Sequence, residues 1–187
     1  MIVLASGSPQ RRAILEQLGI EFRVQVPEVQ ELAEGEPRAL VIENALRKAR
    51  SAKGAAVLGV DTVVVVDDAD ILGKPRHEEE ARTYLERLGG REHAVWSGLA
   101  LIDGGRERTS AAVTLVTFRR LERTDIDWYL ASGEWRGRAG GYAIQGRGAA
   151  LVERIEGDYL TVVGLPVAEL LSLAPELTRC QGLRASC

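Results

Sequence analysis

Apolar positions along this chain change their period repeatedly, and each change marks the edge of a strand or a helix. IVLA at 2–5 is continuously apolar and predicts a first strand. PQRRAILEQL at 9–18 puts Ile14, Leu15 and Leu18 on one stripe and predicts a helix ended by Gly19. A second strand is expected near 20–26, and PRALVIENALRKARSA (37–52) reads as a helix with Pro37 in its first turn. AAVLGVDTVVVV (55–66) is a long β-rich run closed by the turn DDAD. HEEEARTYLERLGG (77–90) predicts a helix with acids at its positive end and glycines at its exit. HAVWSGLALID (93–103) and SAAVTLVTFRRL (110–121) predict paired strands around DGGRERT, and Thr124 is expected to cap a helix reaching about residue 131. A glycine-rich loop then leads into a strand, and YLTVVGLPVAELLSLA reads as a strand passing into the last helix. The alternation predicts an α/β fold with a mixed sheet. Without repeats or a low-complexity linker, residues 1–187 read as one domain, with a loose tail expected from about residue 176.

Composition narrows the function classes. A chain of 187 residues, 45% hydrophobic, can bury a sizeable core in one large domain or two small lobes. A net charge of −3 gives no bulk attraction to nucleic acid or an anionic membrane. No apolar run reaches the roughly 20 residues of a membrane span, and MIVLASGS lacks the basic start of a signal peptide. The expectation is a cytoplasmic protein with no nucleic-acid or membrane partner. Cys180 and Cys187 have neither a disulfide framework nor a zinc spacing, and His77 and His93 are isolated. Any metal should therefore have oxygen ligands, which favours magnesium or manganese. Of 24 basic residues only Lys48, Lys53 and Lys74 are lysines. Coding bias is the simplest reason, yet a lysine retained in that background is a candidate for a task needing a compact ammonium.

The first helix begins Ser8-Pro9, a capping hydroxyl followed by proline where its missing N–H is harmless. Arg11 falls within the apolar stripe of that helix, whereas Arg12 lies about 100° away on the outer face. Free N–H groups, the Ser6 or Ser8 hydroxyl and Arg11 would suit an anion such as phosphate. The competing reading is an ordinary capped helix whose arginine pairs with a carboxylate at the core edge.

Asp61 is the second anomaly. It shares a strand face with Val63 and Val65, where a lone carboxylate is costly. A metal, a lysine or water in a cleft must balance it. Lys74 in LGKP is a neighbour if 71–73 folds back as a hairpin arm, and Lys48 arrives from the preceding helix on the face of Val41 and Ala45. A purely structural Asp–Lys pair is the alternative. Glu31, in PEVQELAEGEP, adds a further candidate acid. In SGEWRGRAGGYAIQGRG (132–148), glycines allow close backbone approach to a ligand. Gln145 there offers the donor and acceptor needed to read a base edge, unless it is simply solvated. The spacing fits neither the Rossmann nor the Walker A pattern.

LASGSPQRR, GVDTVVV, LGKP, SGEW..RAGGYAIQG and GDYLTVVGLP, in this order and spacing, resemble the Maf family of nucleotide pyrophosphatases over residues 1 to about 173. The resemblance implies a mixed twisted sheet with flanking helices, and two lobes around a central cleft, as in the related inosine triphosphatases. It also implies hydrolysis of a nucleoside triphosphate to monophosphate and pyrophosphate with Mg²⁺ or Mn²⁺, and a homodimer is expected. By this resemblance Asp61 is catalytic and, with Glu31, a metal ligand. Ser8, Arg11, Lys48 and Lys74 bind phosphate. Gln10, Thr62 and Gln145 occupy positions that separate a branch preferring dTTP and UTP from one preferring 7-methyl-GTP. Thr62 and Gln145 match the pyrimidine branch, whereas Gln10 replaces its usual arginine and matches neither. The rival expectations are a 7-methyl-GTP or other purine pyrophosphatase and a nucleotide-binding regulator of cell division without significant turnover. A phosphomonoesterase is weakened by the absence of DxDxT around Asp61.

Overall fold

A computed structural model describes residues 1–67 and 70–179. Seven strands form one mixed sheet: β1 (Ile2–Ala5), β2 (Phe22–Val24), β3 (Ala56–Val66), β4 (Asp70–Leu72), β5 (Glu92–Asp103), β6 (Arg106–Phe118) and β7 (Val152–Glu156). Their order is β2-β1-β3-β5-β6-β7, with β4 also paired to β3. β1 runs parallel to β2 and β3, and the remaining pairs are antiparallel. The helices are α1 (Pro9–Gln17), α2 (Pro37–Ser51), α3 (Glu78–Leu88), α4 (Arg123–Leu130), α5 (Tyr159–Val163), α6 (Val167–Leu173) and α7 (Glu176–Arg179). The expected α/β architecture of a mixed sheet flanked by helices is therefore present.

The two edges of β3 explain where a cleft can form. On one edge β5 pairs continuously, from Ala56↔Asp103 to Val65↔Ala94. On the other edge β1 pairs only as far as Gly59, and β4 begins only at Val64. Among the described residues, 60–63 consequently have no strand beside them on that edge. β1 leaves the sheet at this gap to enter α1.

Alternation along β3 sorts its side chains between two cores. Val63 and Val65 pack with Leu40 and Val41 of α2, whereas Val60 joins Leu4, Leu15 and Leu170 on the other face. α2 lies unusually close to the sheet. A Cβ on Gly98 would stand 2.5 Å from the Val41 carbonyl, and one on Gly59 2.0 Å from the Ala45 carbonyl. Only glycine permits that approach, which lowers the polar residues of α2 onto β3.

Local chemistry overrides four expectations. The first is the cap of α4, which starts one residue before Thr124. Asp125 accepts the Glu122 N–H at 2.9 Å and so fixes the earlier start. Tyr159–Val163 is helical, not a strand, because Asp158 accepts from the N–H groups of Leu160 and Thr161 and outweighs the β preference of Thr-Val-Val. Ser8 occupies the cap position of α1 but makes no side-chain cap, and its hydroxyl donates to Gln10 Oε1. Glu176–Arg179 forms a helical turn where the sequence suggested the start of a tail. The remainder of that tail, with Cys180 and Cys187, lies outside the described residues.

Candidate active site

The gap in β3 opens into a cavity of about 480 Å³, within the usual size range for a small-molecule site. Ser8, Gln10, Arg11, Glu31, Lys48, Asp61, Thr62, Lys74 and Gln145 all line it. The cap position and first turn of α1 deliver the first three, the loop before α2 delivers Glu31, and α2 delivers Lys48. Asp61 and Thr62 come from the open segment of β3, Lys74 from the end of the β4 arm, and Gln145 from the glycine-rich loop.

Asp61 is buried, and both of its oxygens are engaged. Lys48 Nζ lies 2.6 Å from Oδ1, and Asn44 Nδ2 donates to Oδ2 at 3.0 Å. Lys48 also pairs with Glu31 Oε1 at 2.9 Å and points its third contact at the Val60 carbonyl, 3.4 Å away. Its three donors thus tie two carboxylates to the stretch of β3 that is open on one edge. Lys74 does come alongside on a hairpin arm, since β4 pairs Leu72 with Val64. Its ion-pair partner among the described residues is Glu31 at 3.9 Å, not Asp61, and its side chain is 56% exposed. Of the two lysines, Lys74 therefore retains access to a ligand.

Asn44 is a site residue that the sequence reading missed. It is buried one helical turn before Lys48, and its amide holds the Leu32 backbone through both N–H (2.7 Å) and C=O (3.0 Å) while donating to Asp61. The signal available was a polar amide on the buried face of α2.

Arg11 lies inward, as its position in the apolar stripe implies. Its Nε donates to Gly164 O at 2.8 Å, Nη1 to Ser6 Oγ and Val60 O, both at 2.9 Å, and Nη2 to Thr62 Oγ1 at 3.0 Å. Four of its five donors therefore brace the start of the cleft. Burial pulls its pKa down, opposed by the charges of Asp61 and Glu31. The Thr62 hydroxyl is also committed. Ser97 donates its proton to Thr161 O at 2.9 Å, so the 2.8 Å Thr62–Ser97 bond uses the Thr62 proton. Thr62 can offer a ligand only acceptor capacity.

The glycine-rich loop is held from below. At φ +67°, Gly140 sits where a Cβ would approach Val64 Cγ2 to 2.8 Å, and its N–H donates to Gly73 O at 3.0 Å. Glu134 accepts from the Arg147 N–H at 3.0 Å and secures the turn that follows Gln145. The Gln145 amide makes no hydrogen bond to another described residue and is exposed at the cavity. Farther in, burial pushes Tyr129 up to about 12 and raises Tyr142 as well. Tyr142 bonds His93 Nε2 at 2.9 Å.

The lining carries five cationic side chains against two carboxylates, although the chain as a whole is net negative. Such a cleft concentrates anionic ligands. A family model for Maf-like proteins matches residues 1–177. The chain belongs to the Maf family. Among its Maf relatives, a protein named dTTP/UTP pyrophosphatase from Symbiobacterium thermophilum is 49% identical over 172 residues, covering 89% of this chain and 88% of the relative. A protein of the same name from Thermus thermophilus is 46% identical, covering 92% of each. Another from Dictyoglomus thermophilum is 42% identical, covering 94% of this chain and 95% of the relative. No helix among the described residues is long and apolar enough to cross a membrane.

Proposed function

We propose that this Maf protein hydrolyses dTTP and UTP to the nucleoside monophosphate and pyrophosphate in the cytoplasm. The observation that carries the reading is the Asp61 carboxylate, held at the open stretch of β3 inside a predominantly cationic cavity. The pyrimidine preference is carried over from the names of the relatives. Gln145 alone could turn its amide to suit either a carbonyl or an amino group on a base.

In the proposed reaction a water oxygen bonds to the α-phosphorus as the bond to the α–β bridging oxygen breaks. Asp61 accepts the water proton, and the bridging oxygen leaves on pyrophosphate. Lys48 and Asn44 keep the carboxylate in one orientation, so no side-chain reorganisation is needed as charge moves. Lys74 meets the leaving pyrophosphate directly, while Arg11 and Lys48 contribute charge from the cavity wall. Ser8 supplies a hydroxyl at the mouth of α1. Gln145 contacts the base edge, Thr62 acts by holding Arg11, and Gln10 adjoins the polyphosphate.

Glu31 and Asp61 form a hard, two-carboxylate donor set, and no group of three or more acidic, histidine or cysteine side chains occurs among the described residues. That set fits Mg²⁺ or Mn²⁺, which typically accepts one or two carboxylates and completes its shell with phosphate and water oxygens. We propose Glu31 and Asp61 as its ligands. When bound, the ion would neutralise charge on the phosphates. A homodimer is proposed on the family resemblance, and light scattering of the purified chain checks it.

The test is a panel of dTTP, UTP, CTP, 7-methyl-GTP and ITP with Mg²⁺ or Mn²⁺, scoring pyrophosphate and orthophosphate separately. Pyrophosphate chiefly from dTTP and UTP is expected, and in heavy-oxygen water the label should enter the monophosphate. Pyrophosphate from purines alone would overturn the base assignment. Tight binding without product would overturn the enzyme reading.

A further inference from the structure

Arg138 differs from Arg11, the braced arginine of the cavity, and from Arg136, which stacks on Trp135. It belongs to the glycine-rich loop, lines the cavity, and donates through Nη1 to Gln10 Oε1 on the first turn of α1. No carboxylate pairs with it among the described residues. Its Nε is buried and has no hydrogen-bond partner among the described residues. Desolvation lowers its pKa, with only the more distant Tyr129 and Glu134 acting in the other direction. One of its five donors thus has a protein acceptor, against four of five for Arg11.

A part-buried guanidinium supported only by a neutral amide is unfavourable on its own and becomes favourable when an anion enters. Gln10 is itself steadied, because Oε1 also accepts from Ser8 Oγ at 3.2 Å. Arginine at position 10 would set a second guanidinium against the first. With glutamine there, the pair carries one charge, and that charge is on the glycine-rich loop.

We propose that Arg138, latched by Gln10, is a polyphosphate-binding residue that grips the β- and γ-phosphates of the substrate. The inference rests on the pyrophosphatase reading for the identity of the polyanion. Phosphate is favoured over a base carbonyl because guanidinium–phosphate bonds are charge-assisted and about twice as strong as neutral ones.

The experiment measures calorimetric binding of inorganic tripolyphosphate and of dTMP, together with kcat and KM for dTTP, in the wild type and in Arg138→Ala, Arg138→Lys and Gln10→Leu. Arg138→Ala should weaken tripolyphosphate and raise KM by roughly tenfold or more. It should affect dTMP less, change kcat less than KM, and leave the melting temperature near that of the wild type. Gln10→Leu, which releases the latch and keeps the charge, should give a smaller loss of the same kind. If Arg138→Ala does not fold, Arg138→Lys carries the test, with an intermediate loss expected. Unchanged tripolyphosphate affinity in the folded variants would overturn the proposal, as would a change confined to base preference. A wild type that binds tripolyphosphate through Arg138 but hydrolyses no nucleotide would overturn the pyrophosphatase reading and leave this one standing.

Discussion

Lys48 Nζ lies 2.6 Å from Asp61 Oδ1, and both side chains are buried between α2 and the sheet. Removing only the cation leaves a buried carboxylate with Asn44 as its one remaining hydrogen-bond partner among the described residues. Lys48→Met should lower the unfolding free energy by about 3–5 kcal/mol, measured by urea denaturation. Combining it with Asp61→Leu should recover much of that stability without recovering activity. If Lys48→Met alone is as stable as the wild type, the pair does not organise this part of the fold.

The approach of α2 to β3 and β5 should be equally sensitive. A Cβ at Gly98 would lie 2.5 Å from Val41 backbone atoms, and a helix backbone cannot yield locally. Gly98→Ala should cost about 1–3 kcal/mol through overpacking. Because α2 carries both Asn44 and Lys48, kcat should fall along with the melting temperature. Loss of stability with full activity would separate the helix position from the chemistry.

Arg11 is braced by Ser6, Val60, Thr62 and Gly164. Lysine cannot reproduce that fork, so Arg11→Lys should destabilise the protein by at least about 2 kcal/mol as well as raise KM. An unchanged urea midpoint with a raised KM would make Arg11 primarily a substrate ligand.

The sequence was informative about this site wherever a residue offended a local pattern. Asp61 in a run of valines and Arg11 in an apolar stripe both mark the cleft, and the elements that bear them fold where the periodicity places them. Asn44 is marked only by an amide on the buried face of α2, a weak signal until its partner Asp61 is known. Likewise Gly98 reads as a weak strand residue, and only the register Asp61↔Gly98 shows that it lies under α2. The Thr62–Ser97–Thr161 chain spans 99 positions between its ends, so no local pattern could order its protons. Tyr159–Val163 shows the opposite failure, where a genuine β-like composition yields to one capping aspartate.

His93 gives a prediction in pH. Burial between Phe118 and Tyr142 pushes its pKa down to about 4 from 6.5, so the unfolded chain binds the proton more readily. Its contribution to stability is complete above pH 6.5 and declines as pH falls toward about 4, by about 3 kcal/mol in total. His93→Phe should flatten that part of the stability–pH curve, measured by urea titrations from neutral to acid pH. An identical curve in the variant would refute the assignment to His93.

The most direct test of the account compares Asp61→Asn with the wild type in dTTP turnover and in equilibrium binding of dTTP. The amide preserves the shape and one of the two acceptor oxygens, which can stay on Lys48, but it cannot take the proton from water. The account predicts a fall in kcat of about 10²-fold or more, with binding changed only a few-fold. An unchanged kcat would contradict the central claim that the carboxylate at the gap in β3 performs the chemistry.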